Sequence, residues 1–524
     1  MRWGKVIDHD RCIGCHACSV ACKQENGVPL GSFRTWVKYV EKGTFPEVRR
    51  HFAVLRCNQC ENPPCVAICP TAAMYRRPDG IVDFDSEQCI GCKGCIQACP
   101  YDAIYIDPDS QTAAKCHFCA HRVEKGLEPA CVTACPERAL LVGDLDDATS
   151  VVSQIVARAA VRVRKPELGT RPKVFYKGVD EVCLTPDSAR RPKESMWGDG
   201  RVLPLYQQPP ERRVPVAPGA AGGTSAQALV AYDVPREETP WGWKISAYML
   251  AKGIGAGSLI VGGTFAALFG VLPALPAILA LIFLAITAGF LVWDLKRPER
   301  FLKILLRPQW RSWLVRGTYC ILAAVLVALT WLALGFERGG PSRGEAALVG
   351  ALAILTGIGA AGYTAFLFGQ ARGRAFWQST LLLPHLVIQA FAAGTAALLV
   401  LDFKVVTEGS LAGYLLAAIV LDSLAIASEL YSHVGTEDAR QAARALTQGR
   451  LKDALLMGVW GPRFLAVLAL VAYFAITILA PPARAYGAPP PNLYLPVVAA
   501  AFTLVGLGAW DHLYVVAGQD PPLS

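Results

Sequence analysis

Cys89-Ile-Gly-Cys-Lys-Gly-Cys-Ile-Gln-Ala-Cys-Pro100 is the stretch that decides the fold of the first half of the chain. Its four cysteines follow the spacing C-x2-C-x2-C-x3-C, and a proline stands directly after the last of them. In this spacing three closely placed thiolates hold one [4Fe–4S] cluster, and the fourth thiolate reaches a neighbouring cluster. The stretch therefore predicts a domain built around several iron–sulfur clusters.

Three further groups of four cysteines surround this stretch. One repeats its spacing, and the other two keep the motif with a longer middle spacer and a final Cys-Pro. Sixteen thiolates are the number that four [4Fe–4S] clusters need, so we predict four complete clusters. The other groups are Cys12, Cys15, Cys18 and Cys22; Cys57, Cys60, Cys65 and Cys69; and Cys116, Cys119, Cys131 and Cys135.

Zinc is the alternative metal for C-x-x-C pairs. Zinc sites usually use two pairs with a longer spacer, whereas these triplets are followed by a trailing Cys-Pro, which favours clusters. Cys183 and Cys320 lie outside every group and are interpreted as small buried residues. The thiolate count is complete, so three nearby histidines receive no ligand role: His16, His117 and His121. Fully ligated clusters offer no substrate site, and four of them in one chain indicate an electron relay.

The chain divides into two unlike halves joined by a linker. Seventeen of the 18 cysteines precede residue 241, and the remainder of the chain is a series of apolar runs. We assign 1–183 to the iron–sulfur domain, 184–240 to a linker rich in Pro, Gly and Arg, and 241–524 to a membrane domain. Residues 1–10 are polar, so no cleavable secretory or twin-Arg signal is expected.

Eight apolar segments in the second half are long enough to cross a hydrocarbon core of roughly 30 Å. We therefore predict eight transmembrane helices. Because the number is even, both ends of the membrane domain lie on the side of the iron–sulfur domain. The predicted segments are 246–271, 272–293, 314–336, 345–369, 378–401, 410–433, 455–480 and 493–516.

Basic residues concentrate in the connections on that side. Thirteen Lys and Arg lie in 294–316, 370–377 and 434–454, against four in the opposite connections: Arg338, Arg343, Lys404 and Arg484. This positive-inside asymmetry places the iron–sulfur domain in the cytoplasm, at the inner membrane. It also accounts for much of the net charge of +9, so we predict no nucleic-acid partner.

A membrane half that exchanges electrons needs a redox partner within the bilayer. Its histidines, His385, His433 and His512, all fall near one end of the predicted helices, so no haem is expected. We predict a quinone, menaquinone or ubiquinone, and take ionisable or aromatic polar residues near the helix ends as cofactor-binding candidates. The distal halves of the spans carry almost no ionisable groups, which gives proton pumping little support. The candidates are Tyr248, Lys252, Tyr363, His385, Asp422 and Glu429, with Asp511, His433 and His512 ranked lower.

The alternative for these polar residues is that they pair with one another, or with loop arginines, for packing alone. Asp422 and Glu429 lie seven residues apart and share a helix face, which favours a functional role.

Over about 1–180 the chain resembles the four-cluster electron-transfer subunits of dimethyl sulfoxide reductase, polysulfide reductase and membrane formate dehydrogenase. The resemblance includes all sixteen cysteines. It implies that the first and fourth groups cooperate, as do the second and third, with the last ligand set nearest the quinone. The implied sets are Cys12, Cys15, Cys18 and Cys135; Cys116, Cys119, Cys131 and Cys22; Cys57, Cys60, Cys65 and Cys99; and Cys89, Cys92, Cys95 and Cys69.

From about residue 241 the chain is similar to the NrfD/polysulfide reductase membrane subunit. The resemblance rests on Asp294-Leu-Lys-Arg-Pro-Glu-Arg-Phe301, Arg311-Ser-Trp-Leu-Val-Arg-Gly317 and Gly253-Ile-Gly-Ala-Gly257. The two resemblances imply an α+β ferredoxin-like double dicluster domain, followed by an all-α polytopic domain of two four-helix bundles. They also imply a molybdopterin-containing catalytic subunit as partner, and a quinone pocket between the first helices and the sixth.

Two other functions are compatible with the sequence. One is a membrane iron–sulfur redox sensor or assembly scaffold, which needs no quinone pocket. The other is a partner of a non-molybdenum enzyme, such as a disulfide or sulfur reductase. The terminal substrate and the direction of electron flow are not predicted, because the substrate site would lie on another chain.

Overall fold

The structure, a computed structural model, describes residues 1–44, 46–185, 189, 229–234, 240–337, 340–401, 410–431, 436–479 and 494–523. It confirms the predicted fold class: a cysteine-rich domain of strands and short helices is followed by helices that are long and apolar. Arg338, Lys404, His433 and Arg484 lie outside the described residues.

Four small sheets form the frame of the iron–sulfur domain. The largest has the order β8-β1-β10-β9, in which β1 and β10 run parallel. A three-stranded antiparallel sheet has the order β11-β2-β3, and β4-β5 and β6-β7 form two short ladders. The strands are β1 Trp3–Asp8, β2 Thr35–Thr44, β3 Glu47–Arg56, β4 Met74–Arg76, β5 Val82–Phe84, β6 Ile104–Ile106, β7 Ala113–Lys115, β8 Leu140–Asp144, β9 Val161–Arg162, β10 Val174–Lys177 and β11 Leu229–Tyr232.

Short helices carry some of the grouped cysteines, and the loops beside these helices carry the rest. Because proline has no backbone N–H and disfavours helix before it, the Cys-Pro pairs stand where the polypeptide leaves a helix. Pro70 follows the helix Pro64–Ile68, and Pro100 follows Gly94–Ala98. The other helices of this half are Ala17–Asn26, Ala120–Val123, Ala130–Thr133 and Val151–Arg158, with 3₁₀ turns at Pro166–Leu168 and Glu181–Cys183.

The range assigned to a linker, 184–240, is only in part described. Its strand β11 pairs antiparallel with β2, and Ala231 packs in one hydrophobic cluster with Trp36 and Cys183. The linker prediction is therefore wrong for 229–232, which belong to the sheet of the iron–sulfur domain. The short apolar run Leu229-Val-Ala-Tyr232, which Asp233 and Pro235 follow, was the available signal for a strand.

Eight described helices are long and apolar enough to cross a membrane, as predicted. They are called the first to eighth spans. A π-helical segment, Leu455–Trp460, lies within the seventh span, and short helices occur at Lys303–Leu306 and Glu437–Thr447. The spans are Trp243–Phe269, Ala274–Trp293, Trp313–Gly335, Arg343–Gln370, Leu382–Leu401, Leu411–Tyr431, Lys452–Ile478 and Tyr494–Gln519.

The spans pack as two four-helix bundles, the first to fourth and the fifth to eighth. The first and fifth spans join the bundles, and they approach closely at Gly257 and Gly394. A Cβ atom on Gly257 would lie 1.8 Å from the carbonyl oxygen of Ala390, so glycine is required there. Small residues at such a crossing permit close packing of membrane helices.

The iron–sulfur domain rests on the ends of the second, fourth and eighth spans. Lys93 Nζ lies 2.9 Å from Asp294 Oδ1, and both side chains are buried. Arg300 donates to the carbonyl of Cys89 at 3.0 Å, and Ser312 Oγ donates to that of Ile68 at 2.6 Å. Gly373 N–H donates to the Gln97 carbonyl at 3.2 Å. The basic connections thus hold the cysteine loops against the membrane half.

Candidate functional site

Four cysteines surround a cavity at the outer end of the iron–sulfur domain: Cys12, Cys15, Cys18 and Cys135. The cavity measures about 20 Å³, and its other walls are mostly apolar residues, with His16 and Glu137 among them. Cys15 is exposed, and the backbone N–H of Ala139 donates to Cys135 Sγ at 3.3 Å. Four thiols around one cavity, with N–H donors directed at sulfur, fit the ligand set of a cubane cluster.

A second cavity of about 20 Å³ faces the membrane half, and Cys69, Cys89, Cys92 and Cys95 line it. The N–H groups of Met74 and Gly91 donate to Cys69 Sγ and Cys89 Sγ, each at 3.4 Å. This quartet lies directly at the interface, since the carbonyl of Cys89 accepts from Arg300. It is called the membrane-proximal quartet.

The remaining eight cysteines of the four groups form two more quartets between these. Asn26 Nδ2 lies 3.6 Å from Cys22 Sγ and 3.9 Å from Cys119 Sγ, which brings residues of the first and fourth groups together. Burial and the nearby sulfurs of Cys116, Cys131 and Cys119 raise the pKa of the Cys22 thiol to about 12. Iron bound among these sulfurs would hold them as thiolates.

The fourth quartet is fully buried. Burial and the neighbouring sulfurs of Cys57, Cys65 and Cys99 raise the pKa of the Cys60 thiol. The structure thus brings together all four sets that the resemblance implied. Within the described residues, no three His, Cys, Asp or Glu side chains converge on a single ion position, and two of the quartets surround cavities instead.

The residues given no ligand role lie outside the quartets. Cys183 is buried beside the β11-β2-β3 sheet, and Cys320 is half-buried on the third span. His16 contacts Tyr39, and His117 stacks on His121, whose Nε2 lies 2.8 Å from Glu25 Oε1.

In the membrane half, the predicted residues of the first and fourth spans form one buried group. Lys252 Nζ donates to the carbonyl of Ala361 at 3.0 Å and to the Thr364 hydroxyl. It also lies 4.9 Å from the ring centroid of Tyr363 and 6.0 Å from that of Tyr248. The Tyr363 ring packs against Gly317, where an added Cβ atom would lie 2.1 Å from the ring.

The predicted residues of the fifth and sixth spans form a second group. His385 Nε2 lies 3.2 Å from Asp422 Oδ1, and His385 Nδ1 lies 3.2 Å from Glu429 Oε1. The Glu429 contact is at ion-pair distance, but both of its carboxylate oxygens lack an aligned hydrogen-bond donor. Each ring nitrogen of His385 therefore has a carboxylate oxygen within ion-pair distance.

Arg463 of the seventh span completes this second group. Its Nη2 and Nε lie 2.6 Å and 3.1 Å from Asp422 Oδ2, and its Nη1 donates to the Gly506 carbonyl at 3.0 Å. Arg463 was not among the sequence-predicted site residues. A lone arginine within an apolar run, just after Gly461-Pro462, was the signal that could have identified it.

A narrow cavity of about 10 Å³, enough for a single water molecule, lies between the two groups. Lys252 and Asp511 line it, and so does Gln389, which donates to Asp511 Oδ1 at 2.8 Å. Its other walls are mostly apolar residues of the first, fifth and eighth spans. Apolar walls with a few convergent polar groups are the usual lining of a small-molecule site. His512, by contrast, is exposed and contacts Ser246.

An aromatic file, Trp241, Phe368, Tyr514 and Trp510, connects the membrane-proximal quartet with His385. Trp241 Nε1 donates to the Cys92 carbonyl at 3.3 Å. Ring centroids along the file are 5.9, 6.1 and 5.7 Å apart, and the Trp510 ring lies 6.0 Å from that of His385. Trp377 stacks on both Trp241 and Phe368.

Comparisons with known proteins agree with this division of the chain. The family model "4Fe-4S dicluster domain" matches residues 48–145, and "Polysulphide reductase, NrfD" matches residues 234–519. Over 200 residues the sequence is 46% identical to the B subunit of tetrathionate reductase from Salmonella typhimurium, a match that covers 37% of this chain and 80% of that protein.

Two other relatives match the same half. The B chain of polysulfide reductase from Wolinella succinogenes is 42% identical over 177 residues, covering 33% of this chain and 93% of the relative. The B subunit of selenate reductase from Mesobacillus selenatarsenatis is 40% identical over 209 residues, covering 34% of this chain and 72% of the relative. All three relatives are named as parts of reductases.

Proposed function

The protein belongs to the NrfD polysulphide reductase family, and from this premise we propose that it is an electron-transfer and membrane-anchor subunit of a respiratory oxidoreductase. It passes electrons between a molybdopterin-containing catalytic subunit and membrane menaquinone or ubiquinone. The observation that carries the proposal is the contact of Trp241 with the Cys92 carbonyl, from which the aromatic file leads to His385. The relay and the buried polar site therefore form one connected structure.

The sixteen grouped cysteines would hold four [4Fe–4S] clusters, in the four quartets described above. Each cluster, when bound, supplies one-electron redox chemistry. The protein's part is to bury most of these sulfurs, to direct N–H donors at them and to place one quartet at each end of the domain.

The outer end of the iron–sulfur domain is the proposed contact with the catalytic subunit. Cys15 is exposed there, and Ile13 and Val20 expose 55% and 65% of their surface. Large exposed apolar side chains beside a redox ligand fit a docking face for another protein. The reductase names of the relatives support a catalytic partner, and molybdopterin on it is part of the proposal.

The two buried groups of the membrane half supply the chemistry that a quinone requires. Reduction of a quinone to a quinol takes two electrons and two protons, and oxidation releases them. His385 between Asp422 and Glu429 can hold a proton and exchange it with a quinone oxygen. Lys252, beside Tyr248 and Tyr363, offers N–H donors to the other oxygen.

We further propose that the iron–sulfur domain faces the cytoplasm. Thirteen basic residues in the connections on its side, against four opposite, support this orientation. Several of them, such as Arg300 and Arg374, also bind the iron–sulfur domain. Labelling of an introduced cysteine at position 307 in intact cells tests the orientation: labelling by a membrane-impermeant reagent contradicts it.

Iron analysis together with quinone exchange tests the proposed function. We expect about sixteen iron atoms per chain in anaerobically purified protein, and inhibitor-sensitive reduction of the clusters by a quinol. A redox sensor would give the iron without the quinol reaction. Co-purification of a large subunit that contains no molybdenum would show that the catalytic partner is a different kind of reductase.

A further inference from the structure

Two buried cations converge on the sulfur of Cys131. Arg56 is 1% exposed, and its Nη1 donates to Cys131 Sγ at 3.3 Å. Lys5 is 2% exposed, and its Nζ lies 3.7 Å from the same sulfur. Their other contacts are neutral: Arg56 Nη2 donates to the Thr35 hydroxyl at 2.9 Å, and Lys5 lies over the Phe118 ring at 4.3 Å.

These cations have no carboxylate to neutralise them. Among the described residues, no Asp or Glu oxygen lies within ion-pair distance of Arg56 or Lys5. A buried charge without a counterion is unfavourable, so an anion at the Cys131 sulfur would offset it. Two positive charges therefore stand beside one quartet without compensation from the protein.

The membrane-proximal quartet has a different charge environment. Lys93 beside this quartet is paired with Asp294 at 2.9 Å, and Arg300, which donates to the Cys89 carbonyl, lies 3.9 Å from Glu299 Oε1. Each of these pairs is neutral as a whole, so it adds little net positive potential at the quartet. The cations beside Cys131 therefore have no carboxylate partner, whereas those beside the membrane-proximal quartet do.

We propose that Arg56 and Lys5 are positioning residues that raise the reduction potential of the cluster held by Cys22, Cys116, Cys119 and Cys131. This inference rests on the proposed binding of clusters to the quartets. Reduction adds one electron, and thus one negative charge, which the two cations stabilise because they lie in a buried environment of low dielectric constant. The electron comes from the neighbouring member of the relay.

A cluster with a raised reduction potential at this position would retain an electron between the two ends of the relay. Arg56 stands at the end of β3, directly before Cys57, and Lys5 lies within β1. Both strands are hydrogen-bonded to neighbouring strands, which holds the charges in place while the oxidation state changes. A rigid environment of this kind stabilises one charge state without reorganisation.

The test is a redox titration of the purified full chain, followed by electron paramagnetic resonance. We expect Arg56→Met and Lys5→Met to move the midpoint of the cluster held by Cys22, Cys116, Cys119 and Cys131 to lower potential. Lys5→Met should leave the other midpoints in place, whereas Arg56 also lies near Cys18 and directly before Cys57. Arg56→Lys, which keeps the charge, should retain most of the wild-type midpoint. The affected signal should be the one that Cys119→Ser alters.

Arg164→Met is the matched control, because Arg164 is also buried but binds the Leu523 carbonyl and no cysteine. It should leave all midpoints unchanged. If Arg56→Met protein does not assemble its clusters, Lys5→Met protein provides the test, because it keeps Arg56. Unchanged midpoints in Lys5→Met protein with full iron would overturn the inference and leave the proposed function intact. Wild-type protein without iron would contradict the proposed function instead.

Discussion

The indole N–H of Trp241 donates a hydrogen bond to the main-chain carbonyl of Cys92, at 3.3 Å, and so joins the membrane half to the membrane-proximal quartet. Gln519 holds the backbone of Trp241 from both sides, through its side-chain oxygen and nitrogen. The ring then stacks on Trp377 with centroids 5.5 Å apart. Trp241 is therefore fixed at the junction of the iron–sulfur domain and the membrane half.

Trp241→Leu should slow electron exchange between the clusters and quinol. The change removes the first ring of the aromatic file, and we expect a loss of about tenfold, or roughly 1.4 kcal/mol in the barrier. Trp243→Leu is the control, because Trp243 lies at the same end but is 53% exposed. Stopped-flow reduction of the clusters by quinol measures both. Equal rates in the two variants would show that the aromatic file does not contribute to electron exchange between the clusters and quinol.

Cys92→Ser should damage one cluster of the four. We expect the iron content to fall from about sixteen to between about twelve and fifteen, depending on whether the cluster is lost or becomes a three-iron form. Quinone-linked activity should fall, while activity of the catalytic subunit with soluble dyes remains. Cys183→Ser, at a buried cysteine outside the quartets, should keep all the iron. Equal loss of both activities in Cys92→Ser would argue against the proposed order of clusters.

His385→Gln should impair proton exchange with the quinone. General acid–base groups contribute about 10²- to 10⁴-fold, so we expect a fall of about 100-fold in quinol turnover with cluster content unchanged. His512→Gln is the control, since His512 is exposed and lies outside the buried group. Turnover close to wild type in His385→Gln would assign this histidine to packing alone.

Arg463→Met should destabilise the membrane half. It leaves the buried Asp422 carboxylate without its 2.6 Å partner, and breaking a buried pair typically costs about 3–5 kcal/mol. Thermal unfolding in detergent measures the loss. The double variant Arg463→Met/Asp422→Asn should recover part of the stability, because it removes the unpaired charge. Additive losses in the double variant would show that the two residues act independently.

Gly317→Ala should disturb the Tyr363 side of the cavity. A Cβ at position 317 would lie 2.1 Å from the Tyr363 ring, so the ring must move. We expect weaker quinol binding, seen as a higher KM with little change in iron content. Gly289→Ala, on the second span with no atom within 4 Å of the new Cβ, should behave as wild type. Identical KM values would place the quinone elsewhere.

The membrane spans could be predicted because the length of an apolar segment is enough to identify one. The pairing of cysteine groups was implied by family resemblance, since spacing does not show that Cys22 lies near Cys119 while Cys99 lies near Cys60. Strand β11 was missed because a Pro- and Gly-rich stretch precedes it, and its pairing with β2 is non-local.

The polar site of the membrane half was predicted one residue at a time. His385, Asp422 and Glu429 were identified because ionisable groups are costly within a span. Their contacts with one another, and the fourth member Arg463, depend on how three spans pack. The basic connections were interpreted as a topology signal, and their hydrogen bonds to the cysteine loops appear only when both halves are in place.

Anaerobic mixing of oxidised, purified full-length protein with excess menaquinol, followed at the visible absorbance of the clusters, tests the central claim most directly. The account predicts bleaching that a quinone-site inhibitor blocks and that Cys92→Ser slows. Clusters that dithionite reduces but menaquinol and ubiquinol leave oxidised would contradict it.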